Sequence, residues 1–173
     1  LSETIQTVNK RSQNLHAEML LRLLGARVKR DGSAEGGLGA VQAFLSRIGV
    51  DLGGWDIEDG SGLSSHDLVT PHGLADLLAA MDRHPQGAIF RASLPIAGVD
   101  GSLRGRMKGT RAEGRVIAKT GSVEHVAALA GYVETKGGGR LAVVILVNHE
   151  TAKGREASAA IDTICEILAG GGG

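Results

Sequence analysis

The segment Arg140 to Asn148 constrains the fold most, because its centre, Leu141-Ala142-Val143-Val144-Ile145-Leu146-Val147, is an uninterrupted apolar run too short for a membrane span. Such a run, rich in β-branched residues, predicts a strand. Val126 to Glu134 has the same character, and the connection Lys136-Gly137-Gly138-Gly139 is short enough to make the pair an antiparallel hairpin. Arg115 to Lys119 reads as a third strand, and helical patterns lie on either side in sequence. The expected class is α/β (α+β), with an antiparallel sheet flanked by helices.

The helical patterns are specific. Leu15, Met19, Leu20, Leu23 and Leu24 recur at helical spacing, and Gly25 follows where a helix end is expected. Asp31 to Gly39, rich in glycine and small polar residues, reads as a mobile loop before a helix from about Leu38 to Ile48, which Gly49 stops. Asp59-Gly60-Ser61-Gly62 is turn chemistry. Pro71 fits the first turn of a helix capped by Thr70 and running through Leu74, Leu77, Leu78 and Met81. Leu103 to Lys108 reads as a short helix, Ala157 to Leu168 as an apolar helix, and Gly170 to Gly173 as a frayed tail.

With 173 residues and 42% hydrophobic content, one globular domain is expected. Net charge is +0 and aromatics are 2%, so neither a general attraction for polyanions nor a stacking platform for bases is available, and nucleic acid is not an expected partner. Arg104, Arg106, Lys108, Arg111 and Arg115 form only a modest basic cluster. The single cysteine, Cys165, sits in an apolar helical pattern and reads as a core residue. No transmembrane segment or signal peptide is apparent. The six histidines, among them His66, His72, His125 and His149, lack metal-ligand spacing, so neither metal nor organic cofactor is expected.

Two motifs carry chemistry: Ser12-Gln13-Asn14 and Lys119-Thr120-Gly121-Ser122. Taken singly each has a plain reading, Ser12 as a helix cap, Asn14 as a first-turn residue, and Lys119 as an exposed charge at a strand end. Together, and in order with the rest of the chain, they suggest an acyl-transfer site. No serine here has a lysine three residues later, so the Ser-x-x-Lys nucleophile box of such sites is absent from these residues.

Ser12-Gln13-Asn14-Leu15 with Ala17-Glu18-Met19-Leu20, then Asp59-Gly60-Ser61-Gly62-Leu63-Ser64, Asp100-Gly101-Ser102-Leu103, Lys119-Thr120-Gly121-Ser122 and Ala128-Leu129-Ala130-Gly131-Tyr132, resemble in this order the D-alanyl-D-alanine carboxypeptidase/endopeptidase family. These are class C low-molecular-mass penicillin-binding proteins. The resemblance implies a partial serine β-lactamase/transpeptidase-like fold. Residues 1–169 would be the C-terminal part of the transpeptidase-like domain and 170–173 a flexible tail.

It further implies hydrolysis of D-Ala-D-Ala bonds or peptide cross-links through a serine acyl-enzyme. In that scheme Ser12 and Lys119 act in proton relay and electrostatics, and Asn14 orients the substrate backbone. Thr120, Gly121 and Ser122 bind the extended peptide and its terminal carboxylate. Implied ligands are peptidoglycan stem peptides and β-lactams, and the implied location is periplasmic or extracytoplasmic. Gln13, where Asp is common in the family, is a minor departure. The absent Ser-x-x-Lys, together with a chain that begins at Leu1, suggests a fragment or processed product, inactive alone, whose missing N-terminal segment is its partner. The alternatives are a non-catalytic relative that binds peptidoglycan or a protein, and, on the same scaffold, a serine esterase or β-lactamase. A fragment is expected to leave an apolar groove.

Overall fold

The computed structural model describes residues 1–149 and 155–171. In chain order the elements are α1 (Ser2–Arg11), α2 (Asn14–Val28), α3 (Ala34–Arg47), α4 (Pro71–Arg83), α5 (Gly87–Ser93), a 3-10 turn (Gly101–Leu103), β1 (Val116–Val123), β2 (Val126–Glu134), β3 (Arg140–Asn148) and α6 (Arg155–Gly170). They group into two compact units, one of residues 12–80 and one of residues 1–11 with 81–173.

The second of these holds the three-stranded antiparallel sheet, in the order β1-β2-β3. Its register pairs Val116 with Val133 and Ser122 with Ala127 on one side of β2, and Val126 with Asn148 and Glu134 with Arg140 on the other. Strand alternation puts Val116, Ala118, Leu129 and Val133 on one face. They form the core with Leu103, Met107 and Ala112 of the preceding segment and with Ile161, Cys165 and Ala169, successive i+4 positions of α6. Each fully buried Val, Leu or Ile there contributes about 1.5–3 kcal/mol. Arg106 clamps the arrangement, its Nη2 and Nε donating to Asp162 Oδ1 at 2.6 and 3.0 Å and Nη2 also to the Ser158 carbonyl at 3.2 Å. Cys165 is core, as its pattern predicts, and burial pushes its thiol up to about 11.

In the unit of residues 12–80, α2 packs on α3 through glycines. A Cβ at Gly25 would lie 2.5 Å from Gly37 N and 2.5 Å from Asp31 O. Gly25 is therefore a buried contact inside α2 and not its end, which is Val28. The expected loop before Leu38 is likewise corrected. Ser33 caps α3, its Oγ accepting from Gly36 N at 3.0 Å, so the glycines after it are already helical. Their low helix propensity hides the helix in sequence, and the close approach of α2 accounts for them. Thr70 caps α4 as expected, accepting from Gly73 N at 3.1 Å.

Other expectations shift. α1 was not legible from its polar sequence, in which only Val8 is buried. The predicted helix over Leu103 to Lys108 does not form: the 3-10 turn ends at Leu103 and turns follow it, with Met107 and Gly109 at positive φ. β1 continues past Lys119 to Val123, held by pairing with β2 although Gly121 and Ser122 are weak strand formers. Gly170 closes α6, and Gly172 and Gly173 of the expected tail lie outside the described residues.

α2 presents Leu15, Met19, Leu23 and Val28 to solvent, and Ala17, Leu20, Leu21, Leu24, Leu38 and Ile57 line an open apolar groove beside it. No helix among the described residues is long and apolar enough to cross a membrane.

Candidate active site

β1 is an edge strand, and the use of that edge changes along its length. Segment 95–97 pairs with the first half: Ala97 N donates to Val116 O at 2.9 Å, Ala118 N donates to Pro95 O at 2.9 Å, and Ile96 bridges Ile117. Among the described residues the backbone pairing on this edge stops at Ala118. Because antiparallel strands alternate their hydrogen-bonding direction, the groups facing outward after Ala118 are those of Thr120 and Ser122. The open stretch of edge is therefore Lys119-Thr120-Gly121-Ser122.

Side chains on this stretch divide between two faces. Thr120 and Ser122 share the face of Ala118 and Leu129, while Lys119 and Gly121 share that of Ile117 and Tyr132. Lys119 is half-buried. Its Nζ donates to the Thr120 carbonyl at 2.7 Å, and burial lowers the pKa of its ammonium from the usual lysine value. That bond sets the Lys119 charge at the open backbone edge, where a carboxylate or a developing oxyanion is stabilised most. Gly121 leaves space: a Cβ there would meet only Ala128 Cβ, at 3.3 Å. Thr120 Oγ1 lies 2.7 Å from Ser102 Oγ, a contact between residues 18 apart that has no local sequence signal.

The strand is positioned by Gly131. A Cβ on it would fall 2.3 Å from Ile117 O and 2.4 Å from Ala118 Cα, so β2 approaches β1 this closely only with glycine, one residue from Lys119.

Ser12 and Asn14 belong to the other compact unit. Asn14 opens α2, and the residue at the cap position is Gln13, which makes no side-chain capping bond. Ser12 lies one residue before that cap position. It sits between α1 and α2 at φ +54, a left-handed conformation that costs a non-glycine residue about 1–2 kcal/mol. Non-glycine residues held this way concentrate at functional sites.

Asp59-Gly60-Ser61-Gly62 is a self-bonded loop. Asp59 Oδ1 accepts from Gly62 N at 2.6 Å and Oδ2 from Ser64 N at 3.0 Å. Gly60 N donates to Glu18 Oε2 at 2.9 Å, and a Cβ at Gly60 would lie 2.9 Å from Leu21 Cβ. Two motifs quoted separately from the sequence, Ala17-Glu18 and Asp59-Gly60, thus meet as one packing unit. Among the described residues there is no group of three or more His, Cys, Asp or Glu able to hold a metal ion.

Comparison with known proteins agrees with this architecture. Residues 1–168 match the D-Ala-D-Ala carboxypeptidase 3 (S13) family. The D-alanyl-D-alanine carboxypeptidase of Actinomadura sp. (strain R39) is 45% identical over 138 residues, covering 77% of this chain and 26% of that protein. Penicillin binding protein 4 (dacB) from Haemophilus influenzae superposes with a TM-score of 0.86 at 28% identity, over 96% of this chain and 39% of its own. The same protein complexed with a β-lactam gives 0.83 at 31% identity, over 96% and 40%. The TLA-3 extended-spectrum β-lactamase shares the fold at 19% identity and a TM-score of 0.73, over 97% of this chain and 62% of its own. The chain spans about a quarter of the length of the Actinomadura relative and about two fifths of the Haemophilus structure.

Proposed function

Because the chain belongs to the D-Ala-D-Ala carboxypeptidase 3 (S13) family, we propose that it forms the substrate-facing part of a serine peptidase that hydrolyses D-Ala-D-Ala peptides or cross-links of peptidoglycan outside the cytoplasm. The observation that carries this reading is the open edge of β1 at Lys119-Thr120-Gly121-Ser122, beside a half-buried lysine.

The extended peptide adds to this edge as a further antiparallel strand, bonding to the outward backbone groups of Thr120 and Ser122. The Thr120 and Ser122 hydroxyls, with the Lys119 charge, take the terminal carboxylate, and Ser122 N–H serves as an oxyanion donor. A serine Oγ attacks the carbonyl carbon of the scissile D-Ala, the C–N bond breaks, and the departing amine takes a proton. Ser12 hydroxyl and Lys119 carry that proton, and Asn14 orients the substrate amide. Water then attacks the ester, releasing the acid and restoring the serine. The nucleophile and its base come from residues outside these 173, as a Ser-x-x-Lys box. β-Lactams enter the same site because their strained amide acylates the same serine.

A fluorescent penicillin tests this directly. The intact gene product labels, Lys119→Ala in that product slows labelling at least a hundredfold, and the 173-residue chain alone does not label. An intact product that binds stem peptide but never labels would instead be a non-catalytic binding relative.

A further inference from the structure

Asp100-Gly101-Ser102-Leu103 has no role in the acyl-transfer scheme above, yet it delivers a hydroxyl to the substrate strand. Ser102 Oγ lies 2.7 Å from Thr120 Oγ1. Its backbone is held from three sides. Asp100 Oδ1 accepts from Ile96 N at 2.9 Å, while Oδ2 is ion-paired with Lys10 of α1. Gly101, at φ +58, leaves no room for a side chain, since a Cβ there would meet Lys10 O at 2.9 Å and Pro95 Cβ at 3.0 Å. Leu103 is fully buried in the core. A hydroxyl so anchored is a fixed partner for Thr120.

The surroundings of that hydroxyl favour an anion. Ser102 lines an open cavity of ≈ 540 Å³ together with Lys10, Arg11, Gly101 and Arg104. The Lys10 charge is answered by Asp100, but Arg11 and Arg104 make no ion pair among the described residues. Two guanidinium groups without an ion pair among the described residues therefore give the cavity beside Ser102 a positive potential.

We propose that Ser102 is a positioning residue for carboxylate recognition: it fixes the Thr120 hydroxyl at the mouth of this cationic cavity, so that the carboxylate of a peptide or β-lactam meets an aligned donor. The inference rests on the reading of Thr120 as a carboxylate ligand. A threonine hydroxyl rotates freely unless a partner holds it, and with Ser102 Oγ donating to Thr120 Oγ1 the single Thr120 proton is directed away from Ser102 and left for the carboxylate. The gain appears only for ligands that present a carboxylate.

The test compares acylation of the intact gene product by a penicillin and by its carboxyl methyl ester. Ser102→Ala lowers the rate with the free acid about tenfold, because the Thr120 bond to the charged carboxylate weakens once its donor is no longer aligned, and leaves the ester rate nearly unchanged, so the acid-to-ester ratio collapses. Ser102→Thr keeps the hydroxyl and restores the ratio. A ratio unchanged in Ser102→Ala overturns the inference. So does an equal fall with both ligands that Ser102→Thr fails to rescue, which is what a merely structural residue gives. Thr120→Ala separates the two levels. If it leaves the ratio intact, the carboxylate reading of Thr120 fails as well. If it collapses the ratio and Ser102→Ala does not, only the role of Ser102 is lost.

Discussion

Tyr132 shows how one residue reports on the packing behind the candidate site. It lies on β2 opposite Ile117, two residues before Lys119, and is 1% exposed. Burial, reinforced by the charge of Asp82 and partly offset by Arg91 and Arg140, pushes its phenol up to about 12. Those neighbours are themselves fixed, since Arg91 Nη1 and Arg140 Nη1 donate to Asp82 Oδ1 at 2.6 and 2.9 Å. The folded protein thus keeps a proton that the unfolded chain releases near the ordinary value of 10.0, and this contribution to stability falls as pH rises from there to about 12. The chain has a single tyrosine, so ultraviolet difference absorbance resolves the step. Tyrosinate is expected near pH 12 while circular dichroism is still native. Its appearance near pH 10 in the folded chain would show that the ring is not sealed.

Residue-level readings from sequence succeed where one side chain completes a local pattern. Thr70 caps the helix that Pro71 begins, and Cys165 falls on the apolar face of its helix. They fail where the partner is distant. Gly25 looks like a helix end because a helix interior rarely selects glycine, and only the approach of Asp31 and Gly37 accounts for it. Ser102 lies in a motif that can be quoted from sequence, but its bond to Thr120 depends on a fold that brings the two together.

At the scale of elements, the sheet is the part most legible in sequence. β2 and β3 match their expected bounds, because continuous β-branched and apolar character marks a strand even at the edge of the sheet, where β3 lies with Val143 its one buried residue. β1 is the exception, and it is the strand that matters. Gly121 and Ser122 near its end are weak strand formers; they are extended because β2 pairs with them, and β2 approaches β1 closely because Gly131 lacks a side chain. Gly131→Ala therefore pushes the strands apart beside Lys119. The expected loss is about 1–3 kcal/mol in thermal or denaturant unfolding, with a slower reaction with penicillin in the intact product. Unchanged stability would mean that β1 shifts freely and is not held in register by this contact. α1 escaped the sequence reading for the opposite reason: its face toward the fold is one valine wide, too narrow to give a periodic signal.

On the scale of the whole molecule, family membership rests on a match over residues 1–168, and the ordered motifs that resemble the family were legible without coordinates. The candidate site was legible as two motifs. Which backbone edge they open was not, because the pairing of segment 95–97 that ends at Ala118 has no sequence signature. The central proposal is that the open edge at Lys119-Thr120-Gly121-Ser122 receives the substrate of an acyl-transfer site whose nucleophile is a serine outside these 173 residues. The most direct measurement is peptide mapping by mass spectrometry of the penicilloyl adduct on the intact gene product. The account predicts the adduct on the serine of a Ser-x-x-Lys box outside these 173 residues, and an adduct on any serine within them would contradict it.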